Sequence, residues 1–532
     1  MYFLSTRGTQ RVTGAQAIVQ GMATDGGLFV PETFPAVTAE EMNYMLLMDY
    51  PERAAFILHK YLDDYDYDRL RAACRRAYSQ FEGNDAAPLV KIDDGIYILE
   101  LFHGPTCAFK DMALTLLPFL LREGCDICGI KEQILILVAT SGDTGKAALE
   151  GFKDAEGIKI MVFYPDDGVS KMQKLQMCTT GGDNTNVLAV RGNFDDCQTA
   201  VKKIFNSEEY RKELKEKNTL LSSANSINFG RLAPQIAYYF SAYLDLVSSA
   251  QIKMGEKVDF AVPTGNFGNI LAAYYAKQMG LPVGRLVCAS NKNNILTDFI
   301  RTGKYDCHRN FYKTMSPSMD ILISSNLERL LFELSGRNAE IVRSRMGNLS
   351  QKGEYLVSAE ELKKINEEFF GGCSNESETV EAMYDFFIDY GYPLDPHTGV
   401  AIKVALEYRR KELAAKNPKD KTPQPPMVVV STASPYKFPQ DVLYALTGND
   451  VKDSFKGIKR LNLLTAMNVP KSLQELRYKE PRFRAVSNPD KLYKEVLHFL
   501  DVGTAGIVAE SVPKKKAPRK KNTETEAKEA QQ

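Results

Sequence analysis

From Lys131 onward the chain alternates short apolar runs, small polar turns and helical stretches, and no other feature limits its fold as strongly. Residues 134–139 (Ile134-Leu135-Ile136-Leu137-Val138-Ala139) make a continuous apolar run of strand length. Thr140-Ser141-Gly142-Asp143-Thr144-Gly145 follows as a polar turn, and 146–152 continues with helical spacing. Further strands are expected at 158–163, 187–190, 220–224, 258–262, 287–289 and 427–431, and helices at 170–177, 194–205, 231–247 and 270–279. Strands that are apolar throughout, alternating with helices, predict an α/β fold with largely parallel sheets covered on both faces. Two such blocks in succession predict two parallel-sheet αβ domains facing each other across a cleft. On this division residues 1–92 form an N-terminal cap, 93–255 a smaller αβ domain, 256–510 a larger one, and 511–532 a disordered tail with little to bury. Residues 408–426, charged and ending in prolines, are expected to be a surface excursion.

The bulk numbers close off other classes. Among 532 residues, 67 basic and 67 acidic side chains leave no net charge, so no global field favours nucleic acid. No apolar run can span a bilayer and the first residues lack a signal-peptide layout, so no membrane partner is expected. Nine scattered cysteines suit a reducing compartment, and a cytoplasmic location follows. Cys125-Asp126-Ile127-Cys128 has redox spacing but no second pair to complete a zinc site. The five histidines are dispersed without ligand spacing, so no metal is expected.

The chemistry gathers at His103-Gly104-Pro105-Thr106-Cys107-Ala108-Phe109-Lys110-Asp111. An apolar strand at 96–102 ends in the Gly104-Pro105 turn, and apolar residues from Ala113 begin a helix that Pro118 must delay or kink. Lys110 thus lies between a strand and a helix start, where an ammonium is costly to desolvate and loses its proton more easily than on a surface. Such a lysine suits Schiff-base chemistry; the plainer alternative is a surface lysine paired with Asp111. Gly265-Asn266-Phe267-Gly268-Asn269 lies between a strand and a helix, where converging backbone N–H groups can hold a phosphate. Ser141 to Lys146 fails as a P-loop, because Thr140 stands in place of glycine and Ala147 in place of Ser or Thr. What remains is a hydroxyl-rich turn able to cradle a carboxylate, with Asp143 otherwise a helix cap. Asn225-Ser226-Ile227-Asn228 with Arg231 is a third anion-ready turn. Ser431-Thr432-Ala433-Ser434 delivers hydroxyls at the carboxyl end of a strand, where open α/β sheets bind ligands. Together these are the parts of a pyridoxal-phosphate enzyme acting on a phosphorylated amino acid.

In this combination, and in Asp25-Gly26-Gly27-Leu28-Phe29-Val30-Pro31 and Leu394-Asp395-Pro396-His397-Thr398, the chain resembles the threonine synthase family of fold type II pyridoxal-phosphate enzymes. The resemblance runs from the first residues to about Phe438. It implies that Lys110 holds pyridoxal phosphate through a Schiff base and then moves protons. It places Gly265, Asn266, Phe267, Gly268 and Asn269 at the cofactor phosphate, Thr432 at the pyridine nitrogen, and Asp143 near the ring hydroxyl, where many relatives have asparagine. It gives Thr140, Ser141 and Thr144 the substrate carboxylate, and Ser226, Asn228 and Arg231 the substrate phosphate. The implied reaction turns O-phospho-L-homoserine and water into L-threonine and phosphate, in threonine biosynthesis. A related phospho-lyase releasing 2-oxobutyrate would use the same residues. A monomer or homodimer is expected. Ser434 stands where close relatives carry histidine, and the segment after Gly448 receives no assignment.

Overall fold

The computed structural model describes residues 1–511 except 141, 168, 418, 421 and 466. The expected tail at 511–532 therefore falls almost wholly outside the described residues. At the N-terminus β1 (Tyr2–Ser5) pairs antiparallel with β2 (Arg11–Thr13) and β3 (Phe29–Pro31). Next come β4 (Leu89–Asp93), β5 (Ile96–Glu100), β6 (Gln133–Ala139), β7 (Ile158–Pro165), β8 (Thr185–Val190) and β9 (Thr219–Ser222). The second half adds β10 (Val258–Pro263), β11 (Val283–Ser290), the antiparallel pair β12 (Lys304–Asp306) and β13 (Glu354–Leu356), then β14 (Phe369–Cys373), β15 (Met427–Ser431) and β16 (Val486–Ser487). A five-stranded parallel sheet has the order β16-β8-β7-β6-β9, and a six-stranded sheet the order β14-β11-β10-β15-β5-β4. Only β4, at an edge, runs antiparallel in the larger sheet. Both sheets are covered on both faces, which is why Ile134 to Val138 and Met427 to Ser431 are buried without alternation.

Register assigns strands to sheets in a way that chain order does not reveal. β5, grouped by sequence with residues 93–255, pairs with β15 in the larger sheet, Ile98 opposite Val429. Conversely, β16 joins the smaller sheet, Ser487 opposite Val190, and the Leu492–Ser511 helix follows it there through the Thr504 hydroxyl, which donates to Thr185 O. The chain thus crosses between the two halves at both ends. Residues 408–415 are not an excursion. They complete the Pro396–Ala415 helix, whose Val404, Ala405 and Tyr408 are buried while Arg410, Lys411 and Glu412 face outward. Among the described residues of 408–426, only those after Ala415 are loop.

The N-terminal cap seats on the central Phe229–Ser248 helix, with Phe3 and Tyr61 edge-on to Phe229. Each such ring, fully buried, contributes about 1.5–3 kcal/mol of transfer free energy. A second tie is Glu328, which accepts from the Thr6 hydroxyl at 2.5 Å and from both Nε and a terminal nitrogen of Arg7. Among the described residues no helix is long and apolar enough to cross a membrane.

Candidate active site

The loops that matter leave the carboxyl ends of β5, β6, β10 and β15 and meet in the cleft between the sheets. Pro118 sits in the first turn of the Leu117–Ile127 helix, so the chain after Lys110 first makes one short turn, Asp111–Leu114, and restarts. Lys110 therefore rests at a helix start pinned from behind. Phe109 N–H donates to Thr432 O at 2.9 Å, Ser434 N–H donates to Cys107 O at 3.1 Å, and Ala108 bridges Ala433. The lysine segment is in effect an extra, short partner to the end of β15.

The Lys110 amine, almost wholly buried, lies 3.2 Å from Ser318 Oγ, 3.7 Å from Asp143 Oδ2 and 5.0 Å from the Phe109 ring centre. Burial lowers its pKa to about 8 against the counter-pull of Asp143, with Lys437 and Arg231 adding to the lowering. The alternative pairing with Asp111 does not form: Asp111 turns away to accept from the Thr106 N–H at 2.8 Å and hydroxyl at 2.6 Å, and burial pushes it up to about 6. Asp143, at the head of the Asp143–Phe152 helix, is the hub. Its Oδ1 accepts from Gln173 Nε2 at 2.9 Å and faces Lys437 Nζ at 3.0 Å; its Oδ2 accepts from the Ser318 hydroxyl at 3.0 Å. Burial alone would raise this carboxyl, but Lys437 and then Lys110 outweigh it and hold it well below the usual carboxylate range. Lys437 is itself fully buried and donates to Thr106 O at 2.9 Å. Ser318 is set by His397, whose Nε2 accepts the Ser318 N–H at 3.2 Å. The ring proton therefore sits on Nδ1, 2.7 Å from Asp395.

The glycine loop follows β10. Phe267 is buried in the left-handed conformation at φ 62°, uncommon for a bulky side chain, and the Gly268–Gln278 helix begins immediately after it. Gly265 lies so close to the Ser316–Asp320 loop that a Cβ would come within 2.7 Å of Ser318 O. Asn269 is buried; its Oδ1 accepts from Tyr238 at 2.5 Å and Tyr239 at 2.7 Å, while its Nδ2 has no partner. Asn266 is exposed, and its carbonyl accepts the Asn326 N–H at 3.2 Å. In the Asn225–Asn228 turn, Ser226 is half-buried. Both N–H groups of Asn228 are already used, on Ile18 O and Ser223 O, and its Oδ1 caps Gly230. Asn228 thus has no side-chain donor left for a phosphate and serves as a cap. Arg231 is buried, donates to Ala224 O at 2.7 Å, keeps an unpartnered Nε, and is drawn by burial down to about 10, still cationic at neutral pH. Thr140 accepts from the Gly142 and Gly145 N–H groups at 2.9 Å, so its hydroxyl clasps the turn; Thr144 is half-buried in the next helix's first turn. Ser141 lies outside the described residues. Thr432 is buried, and Ser434 Oγ accepts the Tyr436 N–H.

A buried amine of lowered pKa, unpartnered buried donors at a helix start, a glycine that admits no side chain and a cationic arginine fit a group bearing an aldehyde and a phosphate. Sequence reasoning missed Gln173, Ser318, Lys437 and the side chain of Asn326. Lys437 carried a signal, a lysine inside an otherwise buried run, whereas Ser318 and Asn326 sit in a Ser- and Asn-rich loop that reads as surface.

Comparison with known proteins agrees. Residues 2–78 match the model for the threonine synthase N terminus, 83–346 that for pyridoxal-phosphate dependent enzymes, and 398–496 that for the threonine synthase C-terminal region. The last match gives the segment after Gly448 the assignment that sequence reading withheld. The chain is 39% identical over 476 residues to human threonine synthase-like 1, covering 87% of this chain and 61% of that one. It thus spans about three fifths of that relative's length. It is 38% identical over 447 residues to threonine synthase of Pseudomonas aeruginosa, covering 83% of this chain and 90% of that one. Among solved structures, PLP-bound threonine synthase from Brucella melitensis superimposes with a TM-score of 0.82 at 38% identity, covering 94% of this chain and 99% of that one. Yeast threonine synthase gives 0.81 at 33% identity, with coverages of 94% and 98%. Three matched regions in sequence order and a bacterial threonine synthase covered over 90% of its length agree with the geometry of the cleft: this chain belongs to the threonine synthase family of pyridoxal-phosphate-dependent enzymes.

Proposed function

We propose that this chain converts O-phospho-L-homoserine and water to L-threonine and phosphate with pyridoxal phosphate as cofactor. The observation that carries the reading is the Lys110 amine, buried, lowered to about 8 and set between Ser318 and Asp143 within a cleft that also holds Arg231. Lys110 would hold the cofactor, Gly265 to Asn269 its phosphate, Thr432 its ring nitrogen and Asp143 the side bearing its hydroxyl. Pyridoxal phosphate supplies, when bound, an aldehyde for the amine and an electron sink beside the substrate's α-carbon. Lys110 takes and returns protons at the α- and β-carbons, which a pKa near neutrality suits. Asp143 stays ionised between two lysines and orients Lys110 through the Ser318 hydroxyl. Arg231 attracts the substrate phosphate and steadies it as it leaves, with Ser226 beside it and Asn228 shaping the turn. Thr140 and Thr144 bound the side of the cleft given to the substrate carboxylate. The free state of all nine cysteines supports a reducing, cytoplasmic setting.

The test is product analysis after the cofactor-loaded protein meets O-phosphohomoserine, beside Lys110→Ala. Threonine and phosphate in equal amounts, both absent from the variant, is the expected outcome. Phosphate with 2-oxobutyrate would replace this reading by the lyase.

A further inference from the structure

Asn326 stands at the N-cap of the Leu327–Leu334 helix, yet its side chain makes no capping bond. Its Oδ1 instead receives a donor from Arg329, an arginine with no exposed surface whose Nε donates to Phe29 O at 2.9 Å and whose other terminal nitrogen donates to Ile227 O at 2.6 Å. A guanidinium can only donate, so the amide atom facing Arg329 is the oxygen and the NH2 group points the opposite way. That Nδ2 is fully buried and unpartnered, and a Cβ built on Gly268 would lie 3.4 Å from it. The loop carrying it is fastened beneath the glycine loop, Ser324 Oγ donating to Gly265 O at 2.9 Å and Asn326 N–H to Asn266 O at 3.2 Å. Asn269 Nδ2, buried in the first turn of the next helix, is a second unpartnered donor of the same loop. Buried donors are rarely left without acceptors, and two beside a helix N-terminus call for a ligand with several acceptor oxygens.

We propose that Asn326 donates to a phosphate monoester held at the Gly265–Asn269 loop, and that Arg329 is the residue that positions it. The inference rests on the function proposed above and adds a ligand from a loop that sequence reading left unassigned. Arg329 also ties the site to the N-terminal cap through Phe29 and to the Asn225–Asn228 turn through Ile227.

Asn326→Asp tests it, because the carboxylate keeps a partner for Arg329 while replacing the donor with a negative acceptor. Full-length protein, freed of bound aldehyde, is titrated by absorbance with pyridoxal phosphate and with pyridoxal, and by competition with inorganic phosphate and O-phosphohomoserine. The expected result is a loss of about 10- to 100-fold in affinity for pyridoxal phosphate with pyridoxal binding little changed. A loss confined to phosphohomoserine and inorganic phosphate would support the same donor acting on the substrate's phosphate. Equal losses for both aldehydes, or no loss for any ligand, would overturn the proposal. Arg329→Gln should lower the same phosphate preference and add little to Asn326→Asp, whereas full additivity would deny it the positioning role. Wild-type protein that binds pyridoxal phosphate while the Asn326 variant behaves identically defeats only this inference; wild type that binds neither aldehyde defeats the proposed function.

Discussion

Lys110 and Lys437 lie on either side of Asp143, and only one of them has an exposed face toward the cleft. Since the neutral amine attacks an aldehyde, imine formation with pyridoxal phosphate should accelerate as pH rises through about 8, well below the ordinary lysine value of 10.5. Rapid-mixing absorbance reads this midpoint, and a value near 10 would contradict the electrostatic account. Between about 8 and 10.5 the unfolded chain binds the proton that folded Lys110 has released, so this group's contribution to stability grows across that window. Asp143 follows the same sign in a lower window: its contribution is present above its ordinary value of 3.8 and is lost as pH falls below it. Lys437→Met removes a positive neighbour of Lys110, so the midpoint should move upward. The same change strips a buried carboxylate of its nearest cation and should cost about 3–5 kcal/mol in urea unfolding.

At the scale of elements, the site depends on how closely two loops approach. Gly265→Ala would drive a Cβ into the Ser318 carbonyl at 2.7 Å, a backbone atom that cannot swing aside. The displaced loop should cost about 1–3 kcal/mol of cofactor binding, measured by titration with pyridoxal phosphate, and unchanged affinity would show that the contact is slack. The glycine loop was legible as a turn because the apolar strand before it and the helix after it have local patterns, although many such turns carry glycine for geometry alone. So were β6 and the Asp143–Phe152 helix, whose residue patterns are local. The sheet that β5 joins was not legible, because its partner β15 lies more than three hundred residues further on and register is fixed only by packing. Residues 408–415 misled because Arg409, Arg410, Lys411 and Glu412 follow Tyr408, the helix's last buried residue, so its final turns are exposed and charged. Ser318 acts through one hydroxyl while His397 holds its backbone N–H, a relation between distant segments that no spacing rule encodes.

Across the whole molecule, Asp143 and Gln173 belong to the half built on the smaller sheet, while Lys110 and Lys437 are anchored on the larger one beside β15. Rotating one half away would carry the carboxylate off and leave two cations facing each other, since the lysine segment stays fastened to Thr432 and Ser434. Asp143→Asn should therefore let the halves part, seen as a larger radius of gyration in small-angle scattering of ligand-free protein, and an unchanged radius would count against this. Seen this way the ionic hub is a latch with one tooth on each jaw. An anion entering the cleft competes with Asp143 for Lys110, so the charge that tunes the nucleophile also sets how firmly the door is shut before a guest arrives.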